Sequence, residues 1–497
     1  MKIAYNHEML ICFTSQTPYQ SYETEVGKEQ FRGYVRELAG TGVDILMCCP
    51  TAWRLPLYYS EVNRVWQTWG RTHRDPNAVA DWKYFDKVFH RVREYMLSPD
   101  YEDPVEITLS EARKHGISPF ISWRMNDLHQ THYNETRVPP VMDDLWIDHP
   151  EMRLSAGNMN YMIPEVRQWY FDILQELVSR YDIDGLELDF MRYPLYFEPA
   201  ETEKGIPVMT EFVRRIRKMT DAKGIKLAVR VPASPKKAVG AGLDVADWKA
   251  QGLIDLITAS TYYKISPEQN IEEYRNLPGK AEVFGELHFI TFSGVGTEVA
   301  RFTTREIYET LGASLLERGA EGLSFFNFAY VRDHHFSEAR QRRYMDREPD
   351  FSIFADLKNA GHLKEMPLHA VMTPGENLQP SNYKPVDFQL HLPESVSAGR
   401  SAMFRLEFSR PGVIYHSIRV RINGSELVQV PGSGELFRPF SNKALPAPDC
   451  LFFFEVPVSL LHHGWNDVHV EVKHNAEFSI PNGGGKYIVG AELAVYP

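Results

Sequence analysis

The stretch Tyr181-Asp-Ile-Asp-Gly-Leu-Glu-Leu-Asp-Phe-Met-Arg-Tyr-Pro194 decides the fold, because it places Glu187 and Asp189 two residues apart in an otherwise apolar run. Side chains alternate along a strand, so the two carboxylates share one face. Unpaired buried carboxylates are costly, so this face is not ordinary core. A strand that carries acidic residues to its C-terminal end, after a helix-like run over residues 166–180, is typical of the active face of a (β/α)8 barrel. The sequence therefore predicts an enzyme.

The same alternation of strand and helix extends from the N-terminus to about residue 345, as expected for parallel βα units. We predict eight strands: Met9–Phe13, Val43–Cys48, Ile117–Trp123, Gly185–Phe190, Lys226–Val231, Leu256–Ser260, Glu282–Leu287 and Gly322–Phe326. The predicted helices, several ending at a glycine, are Glu29–Ala39, Glu106–His115, Pro164–Arg180, Val208–Ala222 and Thr304–Arg318. This order predicts a TIM barrel.

The pattern changes after the barrel. Residues 349–384 are expected to form a linker or covering segment, since the stretch is rich in Pro, Gly and Asn. Alternating strand patterns and the hairpin signal Asn423-Gly424 then predict a β-sandwich over 385–497. The barrel domain is accordingly predicted over 1–348, and the sandwich either binds carbohydrate or buttresses the barrel.

Composition limits the classes of partner. The 497 residues carry a formal charge of −12, with 43% hydrophobic residues, so we expect a soluble globular protein that binds neither nucleic acid nor an anionic membrane. The N-terminus has no long apolar segment, which predicts a cytoplasmic protein or a secreted or periplasmic one whose signal peptide has been removed. Four scattered cysteines predict buried free thiols. The sequence does not specify the oligomeric state.

Polar side chains recur where the predicted strands end, and in a barrel these ends converge on one cleft. Hydrolysis of a glycosidic bond needs two carboxyl groups. Asp189 is the first candidate, and Glu286 is the second because strand seven faces strand four across a barrel. We expect the other polar and aromatic residues to bind substrate: Trp53, Arg124, Asn126, Asp127, His129, Glu187, Arg192, Arg230, Tyr262, His288 and Asn327.

Several of these roles have alternatives. Asp127 competes with Glu286 for the second catalytic position, and Glu187 lies deeper, where it could orient Asp189. Arg124 and Arg230 either bind an acidic sugar or hold Asp189 ionised. His129 and His132 have His-x-x-His spacing but lack the glutamate of a zinc-binding helix, so we expect neither a metal nor a cofactor.

The motif Asp184-Gly-Leu-Glu-Leu-Asp189-Phe-Met-Arg192-Tyr-Pro194, the run Pro164-Glu-Val-Arg-Gln-Trp169 and Ser122-Trp-Arg-Met-Asn-Asp127 resemble the glycosyl-hydrolase-like family 10 group of predicted bacterial barrel glycosidases. The resemblance spans most of residues 1–345. It implies carbohydrate hydrolysis, with Asp189 as the key carboxylate. A looser similarity to chitinases fails at Met191, where those enzymes carry the proton-donating glutamate.

These observations together predict a glycoside hydrolase that cleaves a poly- or oligosaccharide without a metal. Two other hypotheses remain: a noncatalytic carbohydrate-binding protein, and a polysaccharide lyase in which Tyr262 or His288 is the base and arginines neutralise a uronate.

Overall fold

The computed structural model describes residues 1–15, 17–19, 24–68, 83–128, 141–191, 193–262, 265–292, 301–332, 348–359, 361–372, 385–408, 415–431, 451–474 and 488–497. These residues form two compact units. The first comprises residues 1–262, 269–286 and 320–351, and the second comprises residues 263–268, 287–319 and 352–497.

A closed barrel of eight strands confirms the predicted fold. The order around the barrel is β1-β8-β7-β6-β5-β4-β3-β2, and the paired strands run parallel. The strands are Lys2–Glu8 (β1), Ile45–Cys49 (β2), Ser118–Arg124 (β3), Gly185–Asp189 (β4), Lys226–Pro232 (β5), Leu256–Ser260 (β6), Glu282–His288 (β7) and Gly322–Phe326 (β8).

The first predicted strand is wrong. The run Met9–Phe13 was expected to be β1, but the strand is Lys2–Glu8, and a short buried helix follows at Ile11–Thr14. A short apolar run does not distinguish a buried strand from a buried helix. The true strand was overlooked because it ends in the polar residues Asn6, His7 and Glu8, all of which are buried.

Helices separate most of the strands. All five predicted helices are found, four of them within three residues of their expected bounds, while the helix expected at Val208–Ala222 begins six residues earlier, at Thr202. The α-helices of the described residues are Ile11–Thr14 (α1), Lys28–Arg36 (α2), Lys83–Met96 (α3), Pro104–Lys114 (α4), Asp144–Asp148 (α5), Pro164–Arg180 (α6), Thr202–Asp221 (α7), Pro235–Gly240 (α8), Val245–Ala250 (α9), Ile271–Asn276 (α10), Arg305–Glu317 (α11) and Ile353–Leu357 (α12).

The barrel interior is apolar at the amino-terminal ends of the strands. Phe120 of β3 and Phe284 of β7 lie over the two strand-initial glycines, Gly185 and Gly322. A Cβ atom on Gly185 would come within 2.1 Å of the Phe120 ring, and one on Gly322 within 2.5 Å of the Phe284 ring. The glycines therefore make room for the phenylalanines. The rest of this floor is a cluster of small and aliphatic residues: Ala4, Ile45, Met47, Ala228 and Leu256.

The second unit contains two antiparallel sheets with a shared apolar core, as expected for the C-terminal region. Their strands are Leu368–Met372 (β9), Val386–Leu392 (β10), Ser401–Phe408 (β11), Tyr415–Ile422 (β12), Ser425–Glu426 (β13), Val428–Val430 (β14), Leu451–Val456 (β15), Gly464–His474 (β16) and Ile488–Tyr496 (β17). One sheet has the order β9-β17-β11-β15-β14 and the other β10-β16-β12-β13.

Strand β9 lies inside the stretch 349–384 that the sequence predicted to be a linker or covering segment. It pairs with β17 over five residues, and its backbone also contacts α11, where the His369 N–H donates to Thr310 Oγ1 at 2.7 Å. Helix α11 belongs to the same compact unit as the sandwich. The predicted domain limits stay predictions.

Two expectations from composition are addressed by the described residues. Cys12, Cys48 and Cys49 are buried free thiols, as predicted, and Cys450 lies outside the described residues. No helix in the described part is long and apolar enough to cross a membrane.

Candidate active site

The barrel interior becomes polar toward the carboxyl ends of the strands. Because alternate residues share a face, the inward row of β3 runs from Phe120 through Ser122 to Arg124. A polar or ionisable residue lies within two positions of the carboxyl end of each strand, and all of these residues are buried: Glu8, Cys49, Arg124, Asp189, Arg230, Ser260, Glu286 and Asn327.

One guanidinium joins the two predicted catalytic carboxylates. Arg230 Nη1 donates to Asp189 Oδ1 at 2.9 Å, while Nε and Nη2 donate to the two oxygens of Glu286, the latter at 3.1 Å. The Arg230 guanidinium carbon lies 3.9 Å from the centre of the Phe326 ring. These contacts bring together Asp189, Glu286 and Arg230, which the sequence assigned to three separate strands.

Two further side chains fix Glu286. Ser260 Oγ donates to Glu286 Oε1 at 2.5 Å, so this oxygen has two partners. Gln269 binds the main chain of Glu286 as a neighbouring strand would. Its Nε2 donates to the Glu286 carbonyl, and its Oε1 accepts from the Glu286 N–H, each at 2.7 Å. Gln269 was not predicted, since nothing in its local sequence links it to β7.

Asp189 has fewer hydrogen-bond donors around its carboxylate than Glu286 has. Besides Arg230, its Oδ1 accepts from the Met191 N–H at 2.9 Å, and no described residue donates to Oδ2. Glu187 lies two residues earlier on the same face, where Ser122 Oγ donates to it at 2.6 Å. Burial, reinforced by the charge of Asp189, raises the pKa of Glu187 to about 7. The Glu187 carboxyl is therefore about half protonated at pH 7.

A second guanidinium also bridges two carboxylates. Arg124 pairs with Glu8 of β1 through Nη2 and with Asp127 through Nη1, the latter at 3.1 Å. All three side chains are at most 5% exposed. Glu8 was missed because the first strand was placed too late in the sequence. The polar ending Asn6-His-Glu8 is the signal that would have identified it.

The loops after β2 and β3 are tied together by a buried ion pair. Arg54 donates through Nε to Asp143 at 2.5 Å and through Nη1 to the main-chain carbonyl of Asp127, also at 2.5 Å. Asp143 also caps helix α5 by accepting from the Trp146 N–H. This pair, which the sequence did not indicate, fixes the chain at Asp127.

The Asn126 side chain forms hydrogen bonds with the main chain of neighbouring loops. Its Nδ2 donates to the carbonyls of Met159 and Leu195, and its Oδ1 accepts from the Met159 N–H. Both amide hydrogens are used, so this side chain has no donor left for a sugar. These contacts hold the loop after β3, and the predicted sugar contact of Asn126 stays a prediction.

Non-glycine residues with positive φ cluster beyond the strand ends. Trp53 (56°), Tyr193 (64°), Tyr262 (53°) and Asn327 (55°) follow β2, β4, β6 and β8. Such conformations cost about 1–3 kcal/mol each and concentrate at functional sites. Tyr193 and Tyr262 are partly exposed, with ring centres 6.2 Å apart, whereas Trp53 is buried. Tyr193 was not predicted.

The remaining predicted residues are placed as follows. His288 ends β7, and its Nδ1 accepts from the Ile290 N–H at 3.2 Å. His129 and Arg192 lie outside the described residues. The described strand ends and adjoining positions thus hold five carboxyl groups, of Glu8, Asp127, Glu187, Asp189 and Glu286, against the two guanidinium groups of Arg124 and Arg230.

A separate cluster in the second unit has the composition of a metal site. Glu309, Asp356 and His362 offer ligand atoms within 4.8 Å of one another. Arg305 pairs with both Glu309 and Asp356, so a guanidinium already supplies the positive charge there. The arrangement indicates a structural ion-pair cluster.

Comparison with known proteins identifies neither a matching family model nor a matching curated protein. Solved structures with similar folds include an α-amylase from Geobacillus thermoleovorans in complex with acarbose, at 12% identity and a TM-score of 0.42, covering 95% of this chain and 98% of that one. A bacterial fucosidase shows 9% identity and a TM-score of 0.38, covering 97% and 94%. The glycoside hydrolase domain of PgaB from Bordetella bronchiseptica shows 9% identity and a TM-score of 0.38, covering 70% and 99%. At these values neither substrate nor catalytic residues transfer to this chain.

Proposed function

We propose that this chain is a glycoside hydrolase that cleaves O-glycosyl bonds with Asp189 and Glu286 at the carboxyl end of its barrel. The observation that carries the proposal is the contact of both carboxylates, from β4 and β7, with the single guanidinium of Arg230. Glycoside hydrolysis uses two carboxyl groups around one bond. The carboxyl end of the barrel is where this fold places its chemistry.

The charge of the site supports this reaction type. Five carboxyl groups against two guanidiniums leave the site negative, even when Glu187 is protonated. A negative, water-poor site favours the oxocarbenium-like transition state of glycoside cleavage, in which positive charge develops on the sugar.

The two carboxylates suit different tasks. Asp189 has an oxygen without a donor among the described residues, and its other oxygen is stabilised by the Met191 N–H and Arg230. This environment suits a carboxylate that attacks or stabilises the anomeric carbon. Glu286 accepts from Arg230 at both oxygens and from Ser260 at Oε1, so each of its oxygens has a donor. We assign to Glu286 the part of the second carboxyl group that glycoside hydrolysis requires.

The pairing of the arginines disfavours a lyase acting on an acidic glycan. Arg230 is engaged by Asp189 and Glu286, and Arg124 by Glu8 and Asp127. A uronate would have to displace a buried carboxylate from either guanidinium. A neutral sugar makes no such demand.

The test is release of reducing ends from neutral, acidic and sulfated glycans by the wild type, Asp189→Asn and Glu286→Gln. Matched controls lie at the opposite ends of the same two strands. These are Asp184→Asn, one residue before β4 and in a partly exposed pair with Arg113, and Glu282→Gln, in a partly exposed pair with Lys2. We expect both catalytic variants to lose activity by about 10²-fold or more, and both controls to retain it.

The outcomes separate the hypotheses. Activity that survives Asp189→Asn overturns the assignment. Wild-type binding of a glycan without cleavage would identify a carbohydrate-binding protein, and ultraviolet absorbance of an unsaturated product would identify a lyase. The anomeric configuration of the first product, read by NMR, gives the stereochemical course, which depends on the separation of the two carboxyl groups.

A further inference from the structure

Asn327 combines two unfavourable features at one position. Its backbone has φ 55°, a left-handed conformation that glycine adopts without strain and that asparagine tolerates better than most residues with a Cβ atom. Its side chain is 3% exposed, and Oδ1 has no hydrogen-bond donor among the described residues. A buried polar atom without a partner destabilises the folded state, so a residue with both features needs another reason to be present.

A structural role is not evident from its contacts. Asn327 precedes the 3-10 helix Phe328–Arg332, where an asparagine side chain would ordinarily cap the first turn. In the described structure only its main-chain carbonyl is used, accepting from the Tyr330 N–H at 3.0 Å. The side-chain oxygen contributes nothing to this turn.

Its location connects it with the proposed catalytic carboxylates. The preceding residue, Phe326, ends β8 and carries the guanidinium of Arg230 on its ring, at 3.9 Å. Arg230 in turn binds Asp189 and Glu286. Asn327 is thus the residue next in sequence to the one that supports the charged centre.

We infer that Asn327 is a substrate-recognition residue whose Oδ1 accepts a hydrogen bond from a hydroxyl group of the sugar unit bound at Asp189 and Glu286. The inference rests on the proposed glycoside hydrolysis and adds a specificity contact to it. An acceptor left unpaired until substrate arrives discriminates strongly against a sugar without the matching hydroxyl, because that sugar leaves the buried oxygen unsatisfied.

The fold supplies a matched control at a second left-handed asparagine. Asn423 has φ 50° in the hairpin turn between β12 and β13. Its Nδ2 donates to the carbonyl of Leu460 and to Asn466 Oδ1, and its Oδ1 accepts from the Asp467 N–H. Among the described residues, asparagine therefore adopts this backbone conformation at two positions. The side-chain oxygen accepts a hydrogen bond at Asn423 and accepts none from a described residue at Asn327.

The experiment compares Asn327→Gly with Asn423→Gly in the full chain. Glycine adopts positive φ without strain, so Asn327→Gly removes both the strain and the buried oxygen, and we expect its Tm to rise by about 2 °C. Asn423→Gly loses three hydrogen bonds, and its Tm is expected to fall by about 3 °C or more. With whichever glycan of the panel the wild type cleaves, kcat/KM is expected to fall about tenfold in Asn327→Gly and to stay unchanged in Asn423→Gly.

Each result decides a different point. A lower Tm for Asn327→Gly would mean that the residue serves the fold, and unchanged kcat/KM in that variant would mean that it does not contact substrate. Either result overturns the inference while leaving the proposed hydrolysis intact. If the wild type neither binds nor cleaves any glycan of the panel, the proposed function fails, and the sugar contact of Asn327 fails with it.

Discussion

Arg230 and Glu286 are joined by two parallel hydrogen bonds, from Nε and Nη2 of the guanidinium to the two oxygens of the carboxylate. Both side chains are at most 3% exposed. A planar guanidinium forms this fork, whereas a lysine ammonium does not. The pair therefore fixes the orientation of Glu286 as well as its charge.

Replacing Arg230 with lysine is expected to lower the free energy of unfolding by about 3 kcal/mol, since a buried, forked pair is lost while one charge is kept. Urea denaturation measures the change. Arg113→Lys is the control, because Arg113 pairs with Asp184 at an exposed site and its replacement should change stability by less than about 1 kcal/mol. Equal effects in the two variants would contradict a dominant role for the buried fork.

Glu187 predicts a specific pH dependence. Its folded pKa, about 7, lies above the ordinary 4.5, so the native state binds a proton that the unfolded chain releases between these values. Its contribution to stability is fully present below pH 4.5 and is lost as the pH rises through 7, by about 3 kcal/mol in all. Glu187→Gln stays neutral, so its stability relative to the wild type should increase by that amount between pH 4.5 and 8. Parallel unfolding free energies across this range would refute the assignment.

Gly185→Ala tests the barrel floor. The added Cβ atom would meet the Phe120 ring at 2.1 Å, and overpacking of this kind costs about 1–3 kcal/mol. The second substitution Phe120→Leu should recover part of the loss in a double-mutant cycle. Gly27→Ala is the control, because nothing lies within 4 Å of the new atom; as the N-cap of α2, where glycine is preferred to alanine, this position should lose less than about 1 kcal/mol.

Asp143→Asn should uncouple the two long loops. The substitution leaves the buried charge of Arg54 unpaired and is expected to cost about 3 kcal/mol, measured by urea denaturation. Asp103→Asn provides a comparison, since Asp103 also caps a helix but pairs with the partly exposed Arg180, and its loss should cost about 1 kcal/mol. A smaller effect at Asp143 than at Asp103 would show that the buried pair is not what holds the loops.

The sequence predicted those parts of the fold that have a local period. Seven barrel strands and helices such as Pro164–Arg180 follow from apolar runs, glycine stops and helical spacing. The four glycines expected at helix ends, Gly40, Gly116, Gly224 and Gly319, all have positive φ. The first strand was misplaced because three polar residues occupy its buried end, and burial of polar residues is decided by partners elsewhere in the chain.

The same distinction applies to the candidate site. Asp189, Glu286, Arg124 and Arg230 could be selected from sequence because each lies at or near the carboxyl end of a recognisable strand. Their pairing could not be selected, since Arg230 meets Glu286 across 56 residues and Glu8 meets Arg124 across the gap between β1 and β3. Gln269 depends wholly on such long-range geometry, because it satisfies a peptide group of β7 from a loop.

Along the barrel axis, apolar side chains fill the amino-terminal ends of the strands and polar side chains occupy their carboxyl ends. Phe120 and Phe284 pack in the apolar floor, while polar side chains such as Arg124 and Asp189 lie at the carboxyl ends of the strands. A library that randomises only positions at the carboxyl ends of the strands, such as Ser260 and Cys49, would therefore change the polar side chains of the site without altering the apolar floor.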